Sequence, residues 1–170
     1  MADLAPEVDG LNIEGLAWYP SPTTPERLLL GLRNPHAGGD AILVTLLDPA
    51  AVIAGGTAHF GEVITLDLGG LGVRGLAWSA AHDAMLILGG PSADAGVVRL
   101  FRWSGDPAVP PTLVQDTVGP PGTAEAVVPY PGSKDVQILF DAGGVLTGGT
   151  ECKKLSTSAQ SFTDQIVHVE

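Results

Sequence analysis

The sequence predicts an all-β chain of three β-propeller-type blades, half of a six-bladed propeller. Three observations carry that expectation. The apolar runs are five to seven residues long, rich in Val, Ile, Leu and Trp, and bounded by Gly and Pro. Gly (23) and Pro (14) fall between these runs without a collagen period, as turns between many short strands would place them. Above all, the chain repeats itself. Glu14-Gly-Leu-Ala-Trp18 returns as Arg74-Gly-Leu-Ala-Trp78, an offset of 60; Leu29-Leu-Gly31 returns as Ile87-Leu-Gly89 and Asp48-Pro-Ala50 as Asp106-Pro-Ala108, both at 58. A weaker third copy starts at Glu125-Ala-Val-Val128, 51 residues after Arg74, and runs into Gln137-Ile-Leu-Phe140. A β-sandwich would explain the strands but not the return of the same markers in one order.

Within each copy the elements follow one sequence. The first strands are Ile13–Trp18, Val73–Trp78 and Ala124–Val128, and the second strands are Arg27–Leu32, Ala84–Leu88 and Val136–Phe140. Third strands are expected at Ala41–Leu47 and Val97–Trp103, and fourth strands at Glu62–Leu68 and Thr112–Gln115. Copy three lacks a clear third strand, but its tail ends in a strand-like run, Gln165–Val169. Ala41–Leu47 is apolar on both faces, which suits a strand between two neighbouring sheets. In Glu62–Leu68, Ile64, Leu66 and Leu68 share one face. One helical turn is expected over Asp48–Ala54, with Asp48 as N-cap and Pro49 at the first helical position. Residues 1–170 read as a single domain, with blades at about 11–70, 71–120 and 121–170.

Composition excludes several functions. The net charge is −11 with only 8 Lys and Arg, which argues against nucleic acid and against an anionic membrane surface. No apolar run reaches the ~18 residues of a transmembrane helix. The acidic start Met1-Ala-Asp-Leu-Ala-Pro-Glu7 lacks the basic and apolar regions of a signal peptide, so a cytoplasmic location is expected. Cys152 is the only cysteine, so no internal disulfide forms and no Cys-type zinc cluster exists; beside Lys153 and Lys154 it reads as a spectator thiol. His36, His59, His82 and His168 make no metal spacing, and His36 and His82 are expected to face solvent in turns. Ser21, Ser79 and Ser92 lack a nucleophile-elbow context, and the Gly pairs form no P-loop.

The candidate site is a set of repeat-equivalent charges. Glu14, Arg74 and Glu125 stand at one position in the first strands of the three copies. Arg33 and Asp141 stand at the ends of second strands. The first strand of a propeller blade lines the central channel, so these five groups are expected at its mouth, holding one another ionised. They read either as a ligand site or as an ion-pair ring linking blades. Trp18 and Trp78, also equivalent, are expected to be buried between adjacent sheets.

Two segments, Asn12-Ile-Glu-Gly-Leu-Ala-Trp18 with Leu28–Pro35 and Gly72-Val-Arg-Gly-Leu-Ala-Trp78 with Leu100–Trp103, resemble a bacterial propeller family, domain of unknown function 3616. Ala124–Val127 with Phe140–Gly143 resembles that family's closing region. The resemblance implies a propeller fold and no catalytic residues. It also implies that the chain matches the C-terminal half of proteins about twice its length. More distant relatives are esterase-like and phytase-like propellers, and the phytase-like ones hold calcium in clustered carboxylates. No such dense cluster stands in this chain, and no other cofactor is expected.

Two functions stay open: a propeller that binds a small polar ligand or a protein, and a metal-dependent hydrolase. Whether the chain is an enzyme is left undecided. Three blades leave two apolar sheet faces uncovered, so a homodimer of six blades is expected, with a fragment of a longer chain as the rival.

Overall fold

A computed structural model describes residues 10–20, 27–93, 96–116, 118–119 and 124–170. The turn containing Ser21 and the junction expected between the second and third blades, near 120–121, lie outside the described residues.

The chain is all-β, and its main sheets are consecutive antiparallel meanders. The first runs β1 (Asn12–Tyr19), β2 (Arg27–Asn34), β3 (Ala41–Leu47) and β4 (His59–Leu66), with a short helix α1 (Pro49–Ile53) between β3 and β4. The second runs β5 (Gly72–Ser79), β6 (Ala84–Gly90), β7 (Arg99–Trp103) and β8 (Thr112–Gln115). The third pairs β9 (Ala124–Pro129) with β10 (Asp135–Phe140). A two-stranded hairpin, β11 (Leu146–Thr147) and β12 (Thr150–Glu151), precedes β13 (Thr163–His168), which completes the third sheet beside β10. Strands β1, β5 and β9 lie next to one another, so each sheet starts at a common centre and steps outward. These are propeller-like blades.

Hydrophobic burial holds the blades together in two layers. One core lies between blades one and two, with Leu29, Leu43, Ile64 and Leu66 meeting Val73, Met85, Ile87 and Trp103. The other lies between blades two and three, with Leu86, Leu88 and Leu100 meeting Val127, Val136 and Ile138. Strand β6 feeds both, Ile87 to one side and Leu86 and Leu88 to the other, and all seven of its residues are buried. That is the pattern of a strand covered on both faces.

The glycine of the repeated Gly-Leu-Ala-Trp sets the approach of one blade to the next. A Cβ on Gly15 would lie 2.8–2.9 Å from Leu76 and Val73, and one on Gly75 would lie 3.3 Å from the Glu125 carbonyl oxygen. Gly72 is tighter still, since a Cβ there would stand 1.9 Å from the Arg33 carbonyl oxygen.

Four expectations need correction. Trp18 is not buried between sheets: it is 49% exposed and meets the half-buried Trp78 in a T-shaped pair, ring centroids 6.3 Å apart. The fully buried indole is Trp103, stacked on Tyr19 at 6.0 Å with Nε1 donating to the Asp106 and Val109 carbonyls. Asp48 precedes α1 in a left-handed conformation (φ 50°) and makes no side-chain cap. The second strands superpose at an offset of 57, not 58: Leu16 pairs Leu30 as Leu76 pairs Ile87. The one-residue slip matters, because it decides which face each side chain takes. Finally, Ala41–Leu47 is not enclosed on both sides. Ala41, Leu43 and Thr45 are buried, while Ile42, Val44 and Leu46 stay half-exposed because no sheet covers them.

Among the described residues no helix is long and apolar enough to cross a membrane.

Candidate functional site

The repeat-equivalent charges share a backbone feature that explains why they converge. In β1 the pairing runs Ile13 to Leu32 and then Gly15 to Gly31, so Glu14 is an extra residue without a partner. In β5 it runs Val73 to Gly89 and then Gly75 to Leu88, leaving Arg74 extra. In β9 Ala126 pairs Leu139 and Ala124 pairs Phe140, leaving Glu125 extra. Arg33 is likewise passed over between Leu32 and Asn34 on β2. Four charged residues therefore sit on β-bulges. A bulge turns its side chain out of the strict in-and-out alternation, and here it aims each one along the strand ends instead of into the apolar layers.

The side chains then form one network across all three sheets. Arg33 Nη1 donates to Glu14 Oε1 at 3.0 Å, and Asn12 Nδ2 donates to the same oxygen at 3.0 Å. Arg74 faces Glu14 Oε2 through Nε at 3.7 Å and donates through Nη2 to Glu125 Oε1. Arg33 also clasps the second blade, donating from Nε to the Pro91 carbonyl (3.1 Å) and from Nη2 to the Ala93 carbonyl (2.9 Å). The two guanidinium groups are withdrawn, Arg33 9% and Arg74 5% exposed, whereas the Glu125 side chain is 41% exposed. Asp141 lies at the solvent side, where Oδ1 accepts from the Gly143 amide at 2.6 Å and shapes the turn after β10. The face offered to solvent is thus acidic, backed by buried cations.

At Glu125 the neighbouring arginine does not offset burial. Burial pushes the Glu125 carboxyl above its ordinary value of 4.5, and Glu14 and Asp141 add to the rise; the pull of Arg74 is not enough to reverse it. An acid that holds its proton more tightly when folded adds stability below about 4.5, and that contribution is lost as pH rises through the folded value. Glu125→Gln should therefore match the wild-type melting temperature in acid and gain on it as pH rises past that window. Thermal melts across pH check this; a difference that stays flat or reverses sign contradicts it.

The histidines depart from the sequence reading. His82 is 4% exposed, not solvent-facing. Its Nε2 meets the Val169 carbonyl (2.9 Å), which can only accept, so Nε2 carries the hydrogen and Nδ1 accepts from the Ser79 hydroxyl at 2.6 Å. The pair ties the segment after β13 to blade two, and both side chains are too buried to meet a substrate. His36 is half-buried beside Ser92, at 3.1 Å. Cys152 is a buried free thiol. Among the described residues no group of three or more His, Cys, Asp or Glu is placed to hold a metal ion.

Comparisons with known proteins bear on the first two blades. No curated protein and no solved structure matches the chain. A family model does match, over residues 3–122, which takes in the Glu14–Arg33–Arg74 part of the network and stops before Glu125. That span is well over half of the chain, which therefore belongs to the family described as Protein of unknown function (DUF3616).

Proposed function

We propose that the chain is a binding propeller that works as a homodimer and takes a small polar ligand, or a polar segment of a protein, at the channel mouth. The observation that carries this reading is the set of four bulge-directed charges. A network that only linked blades could use ordinary alternating positions at the blade contacts. Here the regular ladder is interrupted once on each first strand and once more on β2, and each interruption delivers a charged group to the same end. The single cysteine, a buried thiol, suits a reducing compartment such as the cytoplasm.

The test is a thermal-shift and calorimetric titration with a zwitterionic amino acid, a neutral sugar, a polyamine, inorganic phosphate and calcium chloride as separate arms. The reading expects saturable stabilisation by at least one organic arm or phosphate, weakened in Glu125→Gln. No shift in any arm contradicts it. A shift confined to calcium, with turnover of a generic phosphate or carboxylate ester, would favour the metal-dependent phytase-like or esterase-like hydrolase instead.

A further inference from the structure

The first blade presents an uncovered apolar face. Following the register across the sheet, Leu16, Leu30, Val44 and Val63 lie in one row, and Trp18, Leu28, Leu46 and Phe60 lie in the next. Leu16 is 59% exposed, Val63 63%, Trp18 49% and Phe60 60%. Patches of this kind on a soluble chain mark an interaction surface.

The second blade shows what such a face is for. At the structural offset of 57 on the second and third strands, Leu28, Leu30, Val44 and Leu46 correspond to Met85, Ile87, Phe101 and Trp103. Leu16 and Trp18 correspond to Leu76 and Trp78 at the offset of 60 on the first strand. In blade two those positions are the side covered by blade one, and Met85, Ile87 and Trp103 are fully buried there. Blade one therefore carries, residue for residue, the side that receives a preceding blade.

We propose that this receiving face is covered by blade three of a second copy of the chain. A covering blade needs a small residue after its bulge, where the next first strand presses in: Gly15 in blade one and Gly75 in blade two. Blade three has Ala126 at that place, on a face with Val128 (40% exposed), Leu139 and Ile166 (51% exposed). Its polar groups meet one another in two pairs, Gln137 Nε2 donating to Asp164 Oδ2 at 2.7 Å and His168 Nδ1 meeting Asp135 Oδ1 at 2.6 Å.

The area also suits a dimer. A face of four strands and about seven residues per strand covers roughly 400 Å² at about 4.8 Å between strands and 3.3 Å per residue. Blade three offers three strands of six residues, roughly 290 Å² on the same spacings, so a two-fold arrangement with two junctions covers roughly 700 Å² per copy, close to the ~800 Å² of a standard protein interface. At that junction Glu125 of one copy borders Glu14 of the other, so the second copy contributes its own carboxylate to the site.

This inference rests on the homodimer reading, and cysteine cross-linking separates the two. By analogy with Gly15 against Leu76, position 126 of one copy should stand against position 16 of the other. The double variant Leu16→Cys/Ala126→Cys should become a covalent dimer on mild oxidation, while each single variant and an Ile53→Cys control should not. The native Cys152 is buried and should not compete. A dimer in light scattering that does not cross-link, or that cross-links through Leu16→Cys alone, leaves the homodimer standing and overturns the assigned junction. A monomer overturns both.

Discussion

Trp103→Ala is expected to destabilise the chain by roughly 3–5 kcal/mol. No surface of this indole reaches solvent, it stacks on Tyr19 at 6.0 Å, and its Nε1 donates to two carbonyls, those of Asp106 and Val109. Truncation removes the largest fully buried side chain of the structure and leaves a cavity at the centre of the first core. It also removes the donor that ties the exposed turn after β7 to the core. At about 2–4 °C per kcal/mol for a chain of this size, the melting temperature should fall by roughly 6–20 °C. Trp18→Ala in the monomeric state should cost far less, because half of that indole is already in water. Equal losses for the two variants in dilute, monomeric protein would contradict the assignment of blade faces.

Arg74→Met is the second large effect, expected at roughly 3–5 kcal/mol. The guanidinium lies between Glu14 and Glu125 and carries the link from blade one to blade three. Without it two carboxylates face each other in a partly buried setting, and Glu125 is already pushed toward its neutral form by burial. The loss should sit toward the lower end, since Glu125 can still reach water. Neutralising the partners as well, in Glu14→Gln/Arg74→Met/Glu125→Gln, should recover most of it, because the cost comes from stranded charge more than from lost attraction. Urea unfolding of the single and triple variants measures both. A triple variant no more stable than Arg74→Met would show that the ion pairs themselves supply the stability.

Much of this architecture is legible in the sequence because a repeat is compared with itself. Glu14-Gly, Arg74-Gly and Glu125-Ala each put a charge inside an apolar run, and the recurrence at one place in each copy is enough to bring them together. The bulges explain why a charge is tolerated there, and no pattern of residues announces them. The strand register is less legible. Leu29-Leu-Gly31 and Ile87-Leu-Gly89 match by letter at 58, while the backbone pairs at 57, since the letters do not record which side of the pleat each faces. Burial of Trp18 could not be read from Trp78 for a simple reason: equivalent positions share a fold, but within one chain the covering sheet exists for one and not for the other. His82 was hidden differently, as its partner carbonyl at Val169 lies 87 residues away.

The central claim is that three blades are completed by a second copy. Multi-angle light scattering on the purified 170-residue chain measures this most directly. The account predicts a single species of about 35 kDa, twice the 17.4 kDa of one chain, dissociating on dilution. A well-folded, monodisperse species at 17.4 kDa over the same concentrations would contradict it.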